Sequence, residues 1–303
     1  MCLCRLFHSH STKKPMKLLV AVNPVSGGTD KTESIAQIRA FCELENIDLD
    51  LVMLTGKSDH ALIRDHVRTG NPDRLVAMGG DGTIKDLAEV ALDVNLPLGI
   101  LPGGSANGMA RELDLPTDLA GALNVVAHGT EKPLDVLQVN GEVCLHLSDI
   151  GLNAQLIKYY KQNNWRGMVG YARGVARVLL RKRLLHVSVC TPHQEFHREA
   201  VMVALANARM YGTGAMINPD GDMSDGKFEV VLLRQFSWTE FLKMFWRFRP
   251  YDPTKTEVIH AKSIHIETKR KAYFQVDGEY RGRINKIDAE IRPGALRVML
   301  PVS

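Results

Sequence analysis

Short apolar runs alternate with stretches of helical period through the first third of the chain. The runs at 18–22, 49–54, 75–78 and 98–101 are continuous rather than alternating, the mark of strands covered on both faces. Between them, Ile35, Ile38, Phe41 and Cys42 recur at helical spacing over 32–44, and helices are expected at 59–67, 84–92 and 106–113. This alternation predicts an α/β N-terminal domain with a parallel sheet, whose ligands bind beyond the carboxyl ends of the strands. The character changes near Pro133. Runs at 136–139, 143–147, 186–190, 200–206, 228–233, 263–267 and 272–276 read as strands, with Asn140-Gly141 and Asp277-Gly278 as hairpin turns. They predict an antiparallel β-rich, sandwich-like C-terminal domain, interrupted by helices near 168–183 and 239–248. The expected division is a disordered leader over 1–15, a first domain over 16–134 and a second over 135–294. The last strand, near 295–303, is a candidate to return to the first domain.

Three of the strand ends carry glycine turns. Asn23-Pro24-Val25-Ser26-Gly27-Gly28 follows the first run, Gly79-Gly80-Asp81-Gly82-Thr83 the third, and Gly103-Gly104-Ser105-Ala106-Asn107 the fourth. Glycine lets backbone approach a ligand closely, and a strand, glycine turn and helix N-terminus together aim amide N–H groups at an anion. Asp81 inside the second turn would repel phosphates unless a cation stood between them. A nucleotide held with a divalent metal satisfies both features. No G-x-x-x-x-G-K-[ST] segment is present, and the glycine spacing does not fit the dinucleotide fingerprint. The segments that mark protein kinases are also missing.

Composition narrows the field further. Hydrophobic content is 45%, charged content 24% and formal net charge +4 over 303 residues. That balance is ordinary for a globular protein and too weakly basic to argue for nucleic acid. An aromatic content of 6% likewise disfavours base-stacking platforms. Five scattered cysteines give no disulfide framework, so a cytoplasmic location is expected. No stretch has the length of a membrane-spanning helix.

The three turns together, N-P-x-S-G-G, G-G-D-G-T and L-P-G-G-S-A-N, resemble the diacylglycerol kinase catalytic family, which includes bacterial lipid kinases and sphingosine kinases. Asp222-Met223-Ser224-Asp225-Gly226-Lys227-Phe228 is similar to the family's metal loop, and Val276-Asp277-Gly278-Glu279 to its C-terminal catalytic turn. The resemblance runs from Met16 over nearly the whole chain. It implies an ATP-dependent lipid kinase acting on a hydroxyl of diacylglycerol or a related lipid. ATP would lie between the domains, on Gly79, Gly80, Asp81, Gly82 and Thr83, with Asn23, Thr55 and Ser105 contributing polar groups. Asp81 would face the reacting phosphates through Mg²⁺, and Glu279 would be the general base. Asp222, Asp225 and the carbonyl of Lys227 would hold a second Mg²⁺, and Asp135 would support the network. Three residues depart from the family pattern. Gly108 stands where an Asp is common, and Lys85-Asp86 where Asn-Glu is common. Lys85 is expected either to meet phosphate or to face solvent. NAD kinase, which shares G-G-D-G-T, and a non-catalytic nucleotide- or lipid-binding relative are the alternatives.

Arg173, Arg177 and Arg181 recur every four residues, with Val175, Val178 and Leu179 between them. That pattern is an amphipathic basic helix able to lie on an anionic membrane surface, and 241–249 offers a second apolar and cationic surface. Oligomeric state is open, with a homodimer as one outcome. Replacing Arg173, Arg177 and Arg181 by Glu is expected to weaken salt-sensitive binding to anionic vesicles. If the unaltered protein binds no such vesicles, the membrane expectation fails.

Overall fold

The computed structural model describes residues 14–28, 30–56, 59–162, 184–192, 194–210, 216–235 and 251–302. The two helices expected near 168–183 and 239–248, and most of the leader, lie outside the described residues.

Strands β1 (Lys17–Val22), β2 (Asp48–Met53), β3 (Arg74–Gly79) and β4 (Leu98–Pro102) pair in parallel in the order β4-β3-β1-β2. Helices α1 (Thr32–Leu44), α2 (His60–Gly70), α3 (Asp81–Val94), α4 (Gly108–Glu112) and α5 (Leu119–His128) accompany them. Successive side chains of a strand point to opposite faces, and here both faces are apolar. Leu19, Ala21, Leu75 and Ala77 meet Ile63 of α2 and Ile84 and Leu87 of α3. Leu18, Val20, Val22, Val76 and Met78 meet Ile38 and Cys42 of α1 and Leu123 and Val126 of α5. That double burial explains the unbroken apolar runs.

The second region holds β5 (Thr130–Val139), β6 (Glu142–Cys144), β7 (Leu147–Gly151), α6 (Leu152–Gln162), β8 (Leu185–Cys190), β9 (Glu195–Ala200) and β10 (Met202–Ala206). It continues through β11 (Phe228–Leu233), β12 (Thr256–Ala261), β13 (Ser263–Val276) and β14 (Glu279–Leu300). Its strand pairs are antiparallel and enclose a core that includes Leu137, Ile150, Val189, Phe228, Phe274 and Ile287. The fold class expected from the sequence is the one observed.

The two regions share one hydrogen-bonded sheet, because β14 belongs to both. It pairs with β13 near its start, with β5 from Ala289 to Leu300, and in parallel with β4 at Val298. Asp135 secures this crossing. Its carboxylate accepts N–H bonds from Gly226 (2.6 Å) and Gly294 (2.7 Å), while its own N–H donates to the Met223 carbonyl (2.6 Å).

Several elements differ from expectation. The segments 263–267 and 272–276 are one strand, β13, because backbone extends through Lys269, Arg270 and Lys271 at a bulge. Their exposed charges only imitate a turn. The last strand likewise begins at Glu279, and a register shift between Arg292 and Leu296 carries it past Pro293 and Gly294. The strand expected at 143–147 is broken, because the amides of Leu145, His146 and Leu147 turn to the Asp277 carboxylate. The helix expected over 106–113 shortens to α4, since Asn107 takes a left-handed φ of 48°. Helices α5 and α6 and strands β9 and β12 had no counterpart in the sequence reading.

Replacing Asp135 by Asn leaves one of the two N–H donors unmatched. We expect a loss of about 2 kcal/mol in unfolding free energy, read by urea titration. An unchanged midpoint would contradict this account of the crossing.

Candidate active site

The three glycine turns meet at the carboxyl ends of β1, β3 and β4. A Cβ on Gly104 would lie 2.5 Å from the Gly80 Cα, and one on Gly27 would lie 2.7 Å from the Gly103 carbonyl oxygen. Neither distance admits a side chain, and Gly27 also has a φ of 71°. The Gly103 N–H donates to the Gly79 carbonyl (2.9 Å), and Lys31 Nζ donates to the Gly103 carbonyl (2.9 Å). Asn23 Nδ2 donates to Thr83 Oγ1 (3.0 Å), tying the first turn to the second. Nothing stands within 4 Å of a Cβ built on Gly82 or Gly28, so the crest has an open face there. The N-terminus of α3 opens onto this crest with Gly80 as its cap and no side-chain cap bond. Its first amide N–H groups have no partner within the helix.

Ser105 is exposed beside the crest. Thr55 follows β2, and its N–H and hydroxyl donate to the Asp59 carboxylate at 3.0 and 2.7 Å. Asp81 accepts N–H bonds from Gly108 (3.1 Å) and Met109 (2.9 Å) at the start of α4. The donor at Gly108 is its main-chain N–H, so this contact does not depend on a side chain there. Burial opposes ionisation of Asp81. His146 and the amides of Met109 and Gly108 outweigh it and hold the carboxyl below the usual aspartate range.

His146 comes from the other side of the cleft and brings its Nε2 to 3.7 Å from Asp81 Oδ1. This separation exceeds a hydrogen bond, so the attraction is Coulombic. Burial depresses the basicity of His146, but Asp81, Asp277 and Glu112 around it raise its pKa overall. The His146 N–H donates to Asp277 Oδ1 (2.9 Å), and Leu145 and Leu147 N–H groups reach the same carboxylate at 3.0 and 3.3 Å. Asp277 and Gly278 have φ values of 47° and 80°, forming the two-residue turn between β13 and β14. Glu279 is the first residue after it. A short bridge thus runs from Asp81 through His146 and Asp277 to Glu279.

Lys85 makes a second bridge. It is buried on α3, with Nζ 2.6 Å from Glu142 Oε1 and 3.5 Å from Asp277 Oδ2. It faces neither solvent nor the open crest. Glu142 also receives Arg281, whose Nε and terminal nitrogen lie 2.9 and 2.6 Å from its oxygens. Arg281 in turn holds the half-exposed Glu279 carboxylate at 2.7 Å. Asp86, one residue on, feels the Glu279 charge, and its pKa rises through burial first and that repulsion in part.

The Asp222 and Asp225 carboxylates lie on one loop, hung from Asp135 through Gly226. Asp222 Oδ1 accepts from the Ser224 N–H and hydroxyl, and Asp225 Oδ1 accepts from the Lys227 N–H. Asn207 links the region to the bridge, donating from Nδ2 to the carbonyls of Asp135 (2.9 Å) and Leu145 (3.0 Å). A cavity of about 850 Å³ lies on the other flank of the β13–β14 hairpin. Its walls include Leu152, Gln155 and Tyr159 of α6, with Arg270, Tyr273 and Arg283 opposite. The sequence reading did not single out His146, Asp149, Glu142, Lys31 or Gln275. Each acts on a partner far along the chain, and no local pattern marks it.

The diacylglycerol kinase catalytic domain family matches residues 17–139, and the YegS C-terminal NAD kinase beta sandwich-like domain matches residues 148–300. The chain belongs to this diacylglycerol kinase and YegS lipid kinase family. A diacylglycerol kinase of Bacillus subtilis is 25% identical over 275 residues, covering 88% of this chain and 90% of the relative. A probable lipid kinase YegS of Escherichia fergusonii is 27% identical over 296 residues, covering 95% and 96%. A crystal structure of a Bacillus anthracis diacylglycerol kinase superposes with a TM-score of 0.75 at 21% identity, covering 95% of this chain and 98% of that one. That likeness establishes the shared fold.

Burial raises the Glu142 pKa, but Arg281 and Lys85 outweigh it and hold the carboxyl below the ordinary 4.5. The stability that ionised Glu142 contributes is therefore present above pH 4.5 and lost as pH falls through the lowered value. Glu142→Gln is expected to unfold at lower urea than the parent at pH 7, with the gap closing at progressively lower pH. A gap that stays constant from pH 7 to pH 3 would contradict it.

Proposed function

We propose that the protein is an ATP-dependent lipid kinase that transfers the γ-phosphoryl group to a hydroxyl of diacylglycerol or a related lipid. One observation carries the reading: the turn bearing Glu279 is clamped to the helix that opens on the glycine crest, through Asp277, His146 and Lys85. Phosphoryl transfer needs mainly positioning and charge neutralisation, and this clamp supplies the positioning. In this reading the amides of Gly82 and Thr83 and the hydroxyl of Ser105 receive ATP phosphates. Asn23, Gly79, Gly80 and Thr55 shape the same site. Glu279 accepts the proton of the lipid hydroxyl as its oxygen bonds to the γ-phosphorus, and ADP leaves with the displaced bridging oxygen. Arg281 orients that carboxylate.

The oxygen donors present fit Mg²⁺, which takes carboxylates, carbonyls and retained waters. Asp81 would serve it beside the phosphates. Asp222, Asp225 and the Lys227 carbonyl would hold a second ion, their loop already shaped by Gly226 (φ 73°) and Asp135. No group of three or more His, Cys, Asp or Glu side chains able to hold a metal occurs among the described residues. Both ions would therefore depend on backbone, water or phosphate oxygens. Mg²⁺ bound there would neutralise phosphate charge.

The cavity beside α6 offers the lipid an apolar wall at Leu152, Leu184 and Leu185. No helix among the described residues is long and apolar enough to cross a membrane. The reading makes the protein cytoplasmic, reaching its substrate by peripheral contact through the segment of Arg173, Arg177 and Arg181. Full-length similarity to diacylglycerol kinases favours a lipid over NAD as acceptor.

Transfer of labelled γ-phosphate to diacylglycerol, phosphatidylglycerol, ceramide and sphingosine tests the proposal. At least one lipid should be labelled, and Glu279→Gln and Asp81→Asn should each lower kcat by ~100-fold or more. Labelling of NAD alone, or full activity in both variants, would refute it.

A further inference from the structure

Asp149 is a carboxylate in the middle of the sheet, 1% exposed, and the bridge described above makes no use of it. It sits on β7, opposite Gln275 of β13 in antiparallel register. Gln275 is 0% exposed and spans two groups. Its Nε2 donates to Asp149 Oδ2 (2.6 Å), and its Oε1 accepts the Gly278 N–H (2.7 Å). Gly278 is the second residue of the turn and the residue immediately before Glu279. Asp149 also holds the start of α6. Its Oδ1 accepts the Ala154 N–H (2.9 Å) and its Oδ2 accepts from Asn153 Nδ2 (2.6 Å). One buried carboxylate therefore fixes both the helix lining the 850 Å³ cavity and, through Gln275, the turn that presents Glu279.

We infer that Gln275 and Asp149 are positioning residues that set the orientation of Glu279 and tie it to the cavity wall; this rests on the reading of Glu279 as the base. The geometry leaves little freedom. A type I′ turn fixes its two central residues but not the direction of the next side chain. Gln275 holds the N–H of the Asp277–Gly278 peptide and so fixes where the turn sits in the sheet, and Arg281 then holds the Glu279 carboxylate that the turn presents. A buried charge in a sheet is costly unless it is fully hydrogen-bonded. Asp149 accepts from Gln275 Nε2, Asn153 Nδ2 and the Ala154 N–H, and these bonds offset the cost of burying it. Misplacement of a reacting group by about 1 Å can cost ~100-fold in rate.

The donor order provides a specific test. Asp149→Asn sets an amide donor against either Gln275 or the α6 amide. Gln275→Glu sets two carboxylates face to face. The double variant restores the order between positions 149 and 275 and forfeits only the Asn153 contact to the same atom. The amide introduced at position 149 then donates to the carboxylate introduced at position 275, which accepts from Gly278 as before. Each single variant should lower kcat by ~10-fold or more, with KM for Mg-ATP within ~2-fold. The double variant should regain most of the loss. In a Glu279→Gln background, Gln275→Met should cost less than ~2-fold further.

A double variant no better than the singles would overturn the inference. So would an equal loss from Gln275→Met with and without Glu279. Full activity of Glu279→Gln overturns the assignment of the base instead. Normal kcat in Gln275→Met beside an inactive Glu279→Gln overturns this inference alone. Hydrogen exchange of the unaltered protein guards against variants that fail to fold. The Gly278 amide should exchange as slowly as those of β13, and fast exchange would also overturn it.

Discussion

The carboxylate of Asp277 is the constraint on which the site depends. It sits at the tip of the β13–β14 hairpin and accepts three consecutive backbone N–H groups, from Leu145, His146 and Leu147. Lys85 approaches it from α3 at 3.5 Å. Those amides would otherwise have continued a strand, so the carboxylate diverts the chain between β6 and β7. The diversion delivers His146 to Asp81, and the hairpin delivers Glu279 to the same cleft. Removing the carboxylate would orphan buried donors on one side and leave the buried Lys85 ammonium with Glu142 as its remaining acidic partner on the other. Both losses are among the more costly in a protein interior.

The glycine crest supplies the other half by the opposite means. There the contacts are between backbones, and the specification is the absence of side chains at Gly27, Gly79, Gly103 and Gly104. A Cβ on Gly79 would lie 2.5 Å from Thr83 Oγ1, so even the turn into α3 tolerates nothing larger. Three crossovers of the parallel sheet are brought to one point, where helix amides face outward. The two halves are joined in a single covalent strand. β14 begins at Glu279 and ends in the sheet beside β4. The cleft is thus framed by one element that reaches both walls.

Much of this arrangement was legible in the sequence. Continuous apolar runs marked the parallel sheet, because strands covered on both faces leave no polar positions. Asn140-Gly141 and Asp277-Gly278 marked two hairpins, because type I′ turns demand positive φ at both residues. The glycine turns marked the crest, since their residues are adjacent along the chain. What escaped were pairings at long range. Asp149 meets Gln275 across 126 residues and Lys85 meets Glu142 across 57, and no spacing rule marks either pair. Lys85 shows the limit most clearly. A lysine beside a phosphate loop reads as a phosphate ligand or a surface charge. Its burial against Glu142 and Asp277 becomes visible only when the second region is in place. The segments 263–267 and 272–276 escaped as one strand for another reason, because the exposed charges of Lys269, Arg270 and Lys271 at the bulge interrupt the apolar pattern by which a strand is read.

The central claim is that the crest and the Glu279 turn form one site across the cleft. A crystal structure with Mg²⁺ and a non-hydrolysable ATP analogue tests it most directly. The account predicts phosphates against the amides of Gly82 and Thr83, with the Glu279 carboxylate facing the terminal phosphoryl group at a distance that admits one hydroxyl between them. A nucleotide bound away from the crest, or a Glu279 carboxylate turned out of the cleft in that complex, would contradict it.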